Sequence, residues 1–271
     1  MRGSSGASLT AAQERFEPVL RAAGADALTL GEQLLTLVSA LDDSAALRRS
    51  LADPSREGEA KAGLVAGLLS GFDERVVDLV SGLVRSRWAS DNDLADAVER
   101  LGVDAVLASA EARGVLETVE DELFRISRSL VGQREAKQVL SDISTAPERR
   151  VALVDALVGG KVDTVTQRLA QRATSSLRGG RRFVQTISWF GDVAAERRQR
   201  LVASVTSATM LTREQEQRLG VVLQRSYGKP VQLNVTVDPA IVGGMRIQVG
   251  ADVVDSTVLS RLADAQRRLA G

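Results

Sequence analysis

The chain has 271 residues, 44% of them hydrophobic, which is enough for two or three domains each burying its own core. Lys plus Arg and Asp plus Glu number 35 each, so no net field draws the chain to nucleic acid or anionic lipid. Histidine and cysteine are both absent, which excludes disulfides, thiolate nucleophiles, Cys/His zinc sites and imidazole acid/base chemistry.

Met1 to Leu9 is small and polar and lacks the apolar stretch of a secretory signal. No run approaches the roughly 18 uninterrupted apolar residues of a membrane span, since even Val76 to Val84 carries Asp78. The cysteine-free composition fits a reducing compartment.

From Leu30 onward the sequence matches itself at an offset of 89. Leu30, Leu34, Leu37 and Leu41 step along one helix face, and Val119, Leu123, Ile126 and Leu130 repeat the same steps. Leu51 then corresponds to Leu140, Asp53 to Asp142, the cluster Leu64, Val65, Leu68, Leu69 to Leu153, Val154, Leu157, Val158, and Gly71 to Gly160. The stretches 87–90 and 175–180 read as loops, each followed by a helix: Leu94, Val98, Leu101 in one copy and Phe183, Ile187, Phe190 in the other. Asp53-Pro54 and Ala146-Pro147 break helices at turns, because proline disfavours helix in the residue before it. Short helices with one apolar face each predict an antiparallel bundle per copy, and the period is too long for the common two-helix solenoids.

After about Arg200 the rhythm changes from helical to alternating. Leu201 to Ser207, Val231 to Val237 and Met245 to Val249 read as strands with one buried face. Between the first two lies a helix opened by Thr212 with Gln215 three residues on, the spacing of a capping box. A last helix is expected from Asp255-Ser256, carrying Leu259, Leu262 and Leu269. The expected fold is mainly α: two antiparallel helical bundles (1–102 and 103–200) followed by a small C-terminal α/β domain (201–271) with a mixed sheet.

Motifs for chemistry are scarce. Gly160-Lys161 and Gly228-Lys229 are not Walker loops, since Asp155 and Leu223 stand where the first glycine belongs, and Val162 and Pro230 replace the magnesium-binding hydroxyl. Glu120, Asp121 and Glu122 read as capping or solvated carboxylates, favoured by the dipole of a helix expected to start there. Arg178, Arg181, Arg182 and Arg197, Arg198, Arg200 read as solvated basic faces, with an acidic partner surface as the next reading. Aromatic residues are 3% of the chain, too few for a nucleic-acid stacking platform. Gly243-Gly244, within an alternating pattern, reads as a bulge or a close backbone approach. No catalytic, metal or cofactor-binding residue is expected.

The run Val237-Asp238-Pro239-Ala240-Ile241-Val242-Gly243-Gly244-Met245-Arg246-Ile247-Gln248-Val249-Gly250, followed by Val254-Asp255-Ser256-Thr257-Val258-Leu259-Ser260-Arg261-Leu262, resembles the delta subunit of F-type ATP synthases, the oligomycin-sensitivity-conferring protein of mitochondria. Thr206-Ser207-Ala208 with Leu211-Thr212 is similar to that family's short strand leading into a helix. Asp238, Gly243, Gly244, Gly250, Asp255, Ser256, Arg261 and Leu262 carry the signature. The resemblance implies a helical bundle and a small α/β domain over residues 103–271, with the first bundle as an extra copy, as in long bacterial forms. It further implies a non-catalytic stator at the cytoplasmic face of the cell membrane. Its bundle would grip an N-terminal helix of an alpha subunit and its C-terminal domain the b-subunit stalk. Leu123, Ile126, Leu130, Leu153, Leu157 and Leu169 are the candidates for lining the bundle's groove. A helical adaptor of another assembly is the alternative reading.

Overall fold

The computed structural model describes residues 3–255 apart from 131, 143, 176–180, 200, 229–230, 240, 242 and 250–251. The chain divides into two compact units, Met1–Arg197 and Arg198–Gly271.

In the first unit α1 (Ser4–Ala23), α2 (Ala27–Asp43), α3 (Ala45–Ala52), α4 (Gly58–Leu68), α5 (Glu74–Arg85) and α6 (Asp91–Ala112) form the first bundle. The helix starts are set by side chains that accept otherwise unpaired N–H groups: Ser44 from Leu47, Asp73 from Arg75 and Ser90 from Asp93. The apolar stripe of α2 is fully buried, with Leu30, Leu34, Leu37, Val38 and Leu41 packed against Phe16, Leu20, Leu51, Val65, Leu83 and Leu101. α1 was not among the expected elements; Ala12, Phe16 and Leu20 are the residues it buries in this core. A second core gathers Leu123, Leu140, Val154, Leu169, Phe183, Ile187 and Phe190 from α7 (Leu116–Ser129), α8 (Arg134–Ser141), α9 (Pro147–Val158), α10 (Thr164–Ser175) and α11 (Phe183–Gln199).

The repeat holds down to individual hydrogen bonds. Asp53 accepts from the backbone N–H (2.9 Å) and hydroxyl (2.7 Å) of Ser55, and Asp142 accepts from Ser144 at the same two distances. In both, the serine hydroxyl holds the carboxyl below its ordinary pKa. Lys61 and Arg150, matched at the same offset, are both buried cations. One stretch departs from the expected constant register. The aspartate that accepts from the second N–H beyond it is Asp73 before α5 and Asp163 before α10, an offset of 90. At that offset Val76, Leu79, Val80, Leu83 and Val84 fall on the buried Thr166, Leu169, Ala170, Ala173 and Thr174, with Ser81 and Val165 buried besides. In α11 the buried Phe183, Ile187 and Phe190 return to 89 from Leu94, Val98 and Leu101. One residue is therefore gained in the turn before α10 and one is lost after it.

α6 belongs to both copies. Its N-terminal part matches α11, and Asp93–Ala112 matches Ser4–Ala23, the whole of α1, at the same offset. The expected division at 102/103 lies inside this 22-residue helix. α2 crosses α6 closely: a Cβ on Gly31 would stand 2.8 Å from the Gly102 carbonyl oxygen and 2.9 Å from the Val106 nitrogen.

The second unit holds the expected mixed sheet. β1 (Leu201–Ser207) pairs in parallel with β2 (Val231–Val237) and antiparallel with β3 (Met245–Val249), which pairs antiparallel with β4 (Asp252–Asp255), giving the order β2-β1-β3-β4. α12 (Arg213–Tyr227) joins β1 to β2 and starts with the expected reciprocal capping box of Thr212 and Gln215. Ala203, Val205, Leu223, Ile247 and Val249 form its core. The glycine pair does not interrupt a strand: Gly243 and Gly244 have φ of 71° and 81° in the turn that ends where β3 begins, a conformation that disfavours side chains. The helix expected after Asp255 lies outside the described residues.

Candidate partner-binding surfaces

The six groove candidates divide by depth. Leu123, Ile126, Leu130 and Leu169 are core residues, sealed on the inner faces of α7 and α10 and, for Leu130, at the residue that ends α7. Leu153 is half-buried against that core, and Leu157 is 46% exposed. Their counterparts on α4, Leu64 and Leu68, are 42% and 45% exposed. Both copies therefore present a leucine pair on the outer side of the fourth helix, while the valine beside it, Val65 or Val154, points into the core. Leucine residues left in water on a short helix mark a place where apolar area remains to be covered.

Several charges expected on solvated faces, or as caps of a helix starting near residue 120, are structural in another way, since α7 already begins at Leu116. Glu122 is buried and accepts from the Asp163 N–H (2.9 Å) and the Thr166 hydroxyl (2.6 Å), so it caps the start of α10 from the side. Arg197 is 3% exposed and bidentate to Glu17 (2.8 and 3.0 Å), with its Nε on Glu111 (2.6 Å). Arg181 meets the buried Glu99 at 2.5 Å and stacks over Trp189. Nearby, Arg100 bridges Asp104 and Glu196, and Gln13 donates to Asp104 at 2.8 Å. These pairs tie α1, α6 and α11 together, joining the first helix of one copy to the last helix of the other. Burial works against the Arg197 charge, but Glu17 and Glu111 more than offset it and raise its pKa.

The Gly-Lys pairs are helix ends. Gly160 has φ of 68°, and Lys161 donates to the Leu157 carbonyl at 3.2 Å; Gly228 is the left-handed cap of α12. Among the described residues no cluster of acidic side chains could hold a metal ion. Of the signature residues, Asp238 locks the end of β2 to β1, its N–H donating to the Ser207 carbonyl at 2.9 Å. Asp255 pairs with Arg246 in the β3–β4 ladder. Gly250, Ser256, Arg261 and Leu262 lie outside the described residues.

A surface missed in the sequence is the outer side of α7, where Phe124 is 59% exposed with the Arg128 guanidinium 5.6 Å from its ring centroid. Its signal was available, since Phe124 falls off the buried stripe of Val119, Leu123 and Ile126.

The sequence model of the ATP synthase delta (OSCP) subunit matches residues 103–269. Over its full length the chain is 54% identical to ATP synthase subunit delta of Beutenbergia cavernae, covering all of both chains. The chain belongs to the ATP synthase delta (OSCP) subunit family. It is thereby a peripheral-stalk subunit of an F-type ATP synthase. The delta subunits of Kineococcus radiotolerans (45% identical, 99% of this chain and 98% of that one) and Streptomyces griseus (42%, all of both) match over the first bundle as well. The family's sequence model, by contrast, begins at residue 103, inside α6. The added bundle is thus shared with these full-length delta relatives.

Proposed function

We propose that this delta-family chain is a non-catalytic stator, with one of its helical bundles holding an N-terminal helix of an alpha subunit and its C-terminal unit holding the b-subunit stalk. Full-length similarity to delta subunits carries the reading. A connector that resists torque needs apolar surfaces that accept helices and no reactive side chain, and a sequence without His or Cys suits that task. Of the groove candidates, Leu153 and Leu157 are those a partner helix reaches without opening the bundle, and Leu64 and Leu68 offer the same surface on the first copy. Leu123, Ile126, Leu130 and Leu169 support that surface from beneath. The chain would be held at the cytoplasmic face of the cell membrane through the complex, a reading supported by its similarity to delta subunits; no helix among its described residues is long and apolar enough to cross a membrane.

The test is deletion of residues 198–271 from the subunit in an assembling ATP synthase. The truncated chain is expected to keep the helical signature of both bundles and to lose co-purification with the b-containing membrane sector. Retention of stalk binding would overturn the assignment of the C-terminal unit.

A further inference from the structure

The duplication lets one copy report what the other lacks. In the first copy the outer face of α2 is covered: Glu32 pairs with Arg168 of α10 at 3.3 Å, Ser39 accepts from Arg172 at 2.7 Å, and Leu35 is buried in the second core beside Val106 and Leu169. Leu35 also lies over Gly102, 3.0 Å from where a Cβ would stand. Shifted by 89, these positions become Asp121, Arg128, Phe124 and Gly191. There the same face is open. Asp121 and Arg128 are exposed, Phe124 is the one aromatic among the exposed large apolar side chains described, and nothing stands within 4 Å of a Cβ on Gly191.

We infer that the outer face of α7 docks an amphipathic helix of another protein subunit, laid as α10 lies on α2, with an apolar side chain against Phe124. Charge fixes the rest of that helix. The acid at position 32, which takes an arginine in the first copy, is kept as Asp121, and Asp192 adds a second exposed carboxylate one residue after Gly191. Ser39, which accepts from a cation, is replaced by the cation Arg128. The docked helix therefore carries Lys or Arg opposite Asp121 and a carboxylate opposite Arg128. The switch from serine to arginine also rejects a copy of α10, whose Arg172 would face Arg128. The face is distinct from the Leu153–Leu157 surface on α9, and the inference uses the stalk assignment only to choose the complex in which to look.

The natural chain has no cysteine, so a single Arg125→Cys, which sits beside Phe124 on an exposed position and leaves that ring in place, reports on this face alone. Its labelling rate with a maleimide is compared between the purified subunit and the assembled ATP synthase. Protection by about an order of magnitude in the complex is expected. In the Asp121→Arg background protection is expected to vanish while the chain still co-purifies, and in Asp121→Glu to persist. Equal labelling in the free and assembled chain would overturn the inference, as would protection indifferent to Asp121→Arg. Protection that appears in the purified subunit as its concentration rises would also overturn it, because the occupant would then be a second copy. Failure of the chain to co-purify at all counts against the stalk assignment instead, so the two readings fail separately.

Discussion

Replacing Arg197 with methionine removes a cation that reaches both Glu17 and Glu111. Arg197 is 3% exposed, and the Glu17 side chain is 10% exposed. Removing one member of a buried pair leaves the other charge without compensation, which costs about 3–5 kcal/mol. Two local facts place the loss at the lower end. Glu111 is 44% exposed and returns to water, and Arg21 stays 3.7 Å from Glu17. With a urea slope of about 2–3 kcal/mol per molar, a loss of about 3 kcal/mol lowers the midpoint by about 1–1.5 M. Trp88 and Trp189, the two tryptophans of the sequence, both lie in the helical unit, so their fluorescence follows this unit selectively. The double variant Glu17→Leu with Arg197→Met, which leaves no buried charge in the pair, is expected to recover most of the loss. A single-variant midpoint no lower than that of the surface variant Arg125→Ala, or a double variant no better than the single, would refute the reasoning.

Gly31→Ala puts a methyl group against backbone atoms of α6 that cannot move aside, and a loss of about 1–3 kcal/mol is expected in the same urea titration; Gly67→Ala on the open side of α4 is the control. Asp73 is held at a pKa of about 2 against an ordinary 3.8, chiefly by its two-pronged bond from Arg75, at 2.8 and 2.7 Å. A depressed carboxylate stabilises the fold above its unfolded pKa and loses that contribution as pH falls through the folded one. Stability should therefore drop between pH 3.8 and about 2, and Asp73→Asn should flatten that limb of the curve.

What the sequence displays depends on which face of an element the solvent sees. The strands were legible because apolar and polar residues alternate in Val231 to Val237 and Met245 to Val249, and in the second of these the alternation is matched by burial of Ile247 and Val249. The capping box at Thr212 was legible because both partners lie within one turn. α1 escaped because its buried residues are sparse and Pro18 interrupts the pattern. The one-residue slip in α5 and α10 left no trace in the flanking helices, where a later loss restores the register. The ion pairs were invisible for a different reason. Glu17 and Arg197 stand 180 positions apart, Glu99 and Arg181 82 apart, and a charged residue read alone defaults to the surface. The groove candidates were drawn from the apolar periodicity, which selects residues facing inward; Phe124 was passed over because it falls off that stripe, and Leu157 could be recognised as outward only once the helices were placed.

α6 also constrains how this subunit can change. In a pair of domains joined by a loop, a residue may be added or dropped at the junction with little effect. Here the junction is helical. Inserting one residue near Gly102 would turn everything after it by about 100° and advance it by about 1.5 Å. The Arg168–Glu32 and Arg197–Glu17 pairs would then be out of reach. Length changes are confined to the turns, as the residue gained before α10 illustrates, and the helix between the two bundles works as a fixed gauge that sets the orientation of one against the other.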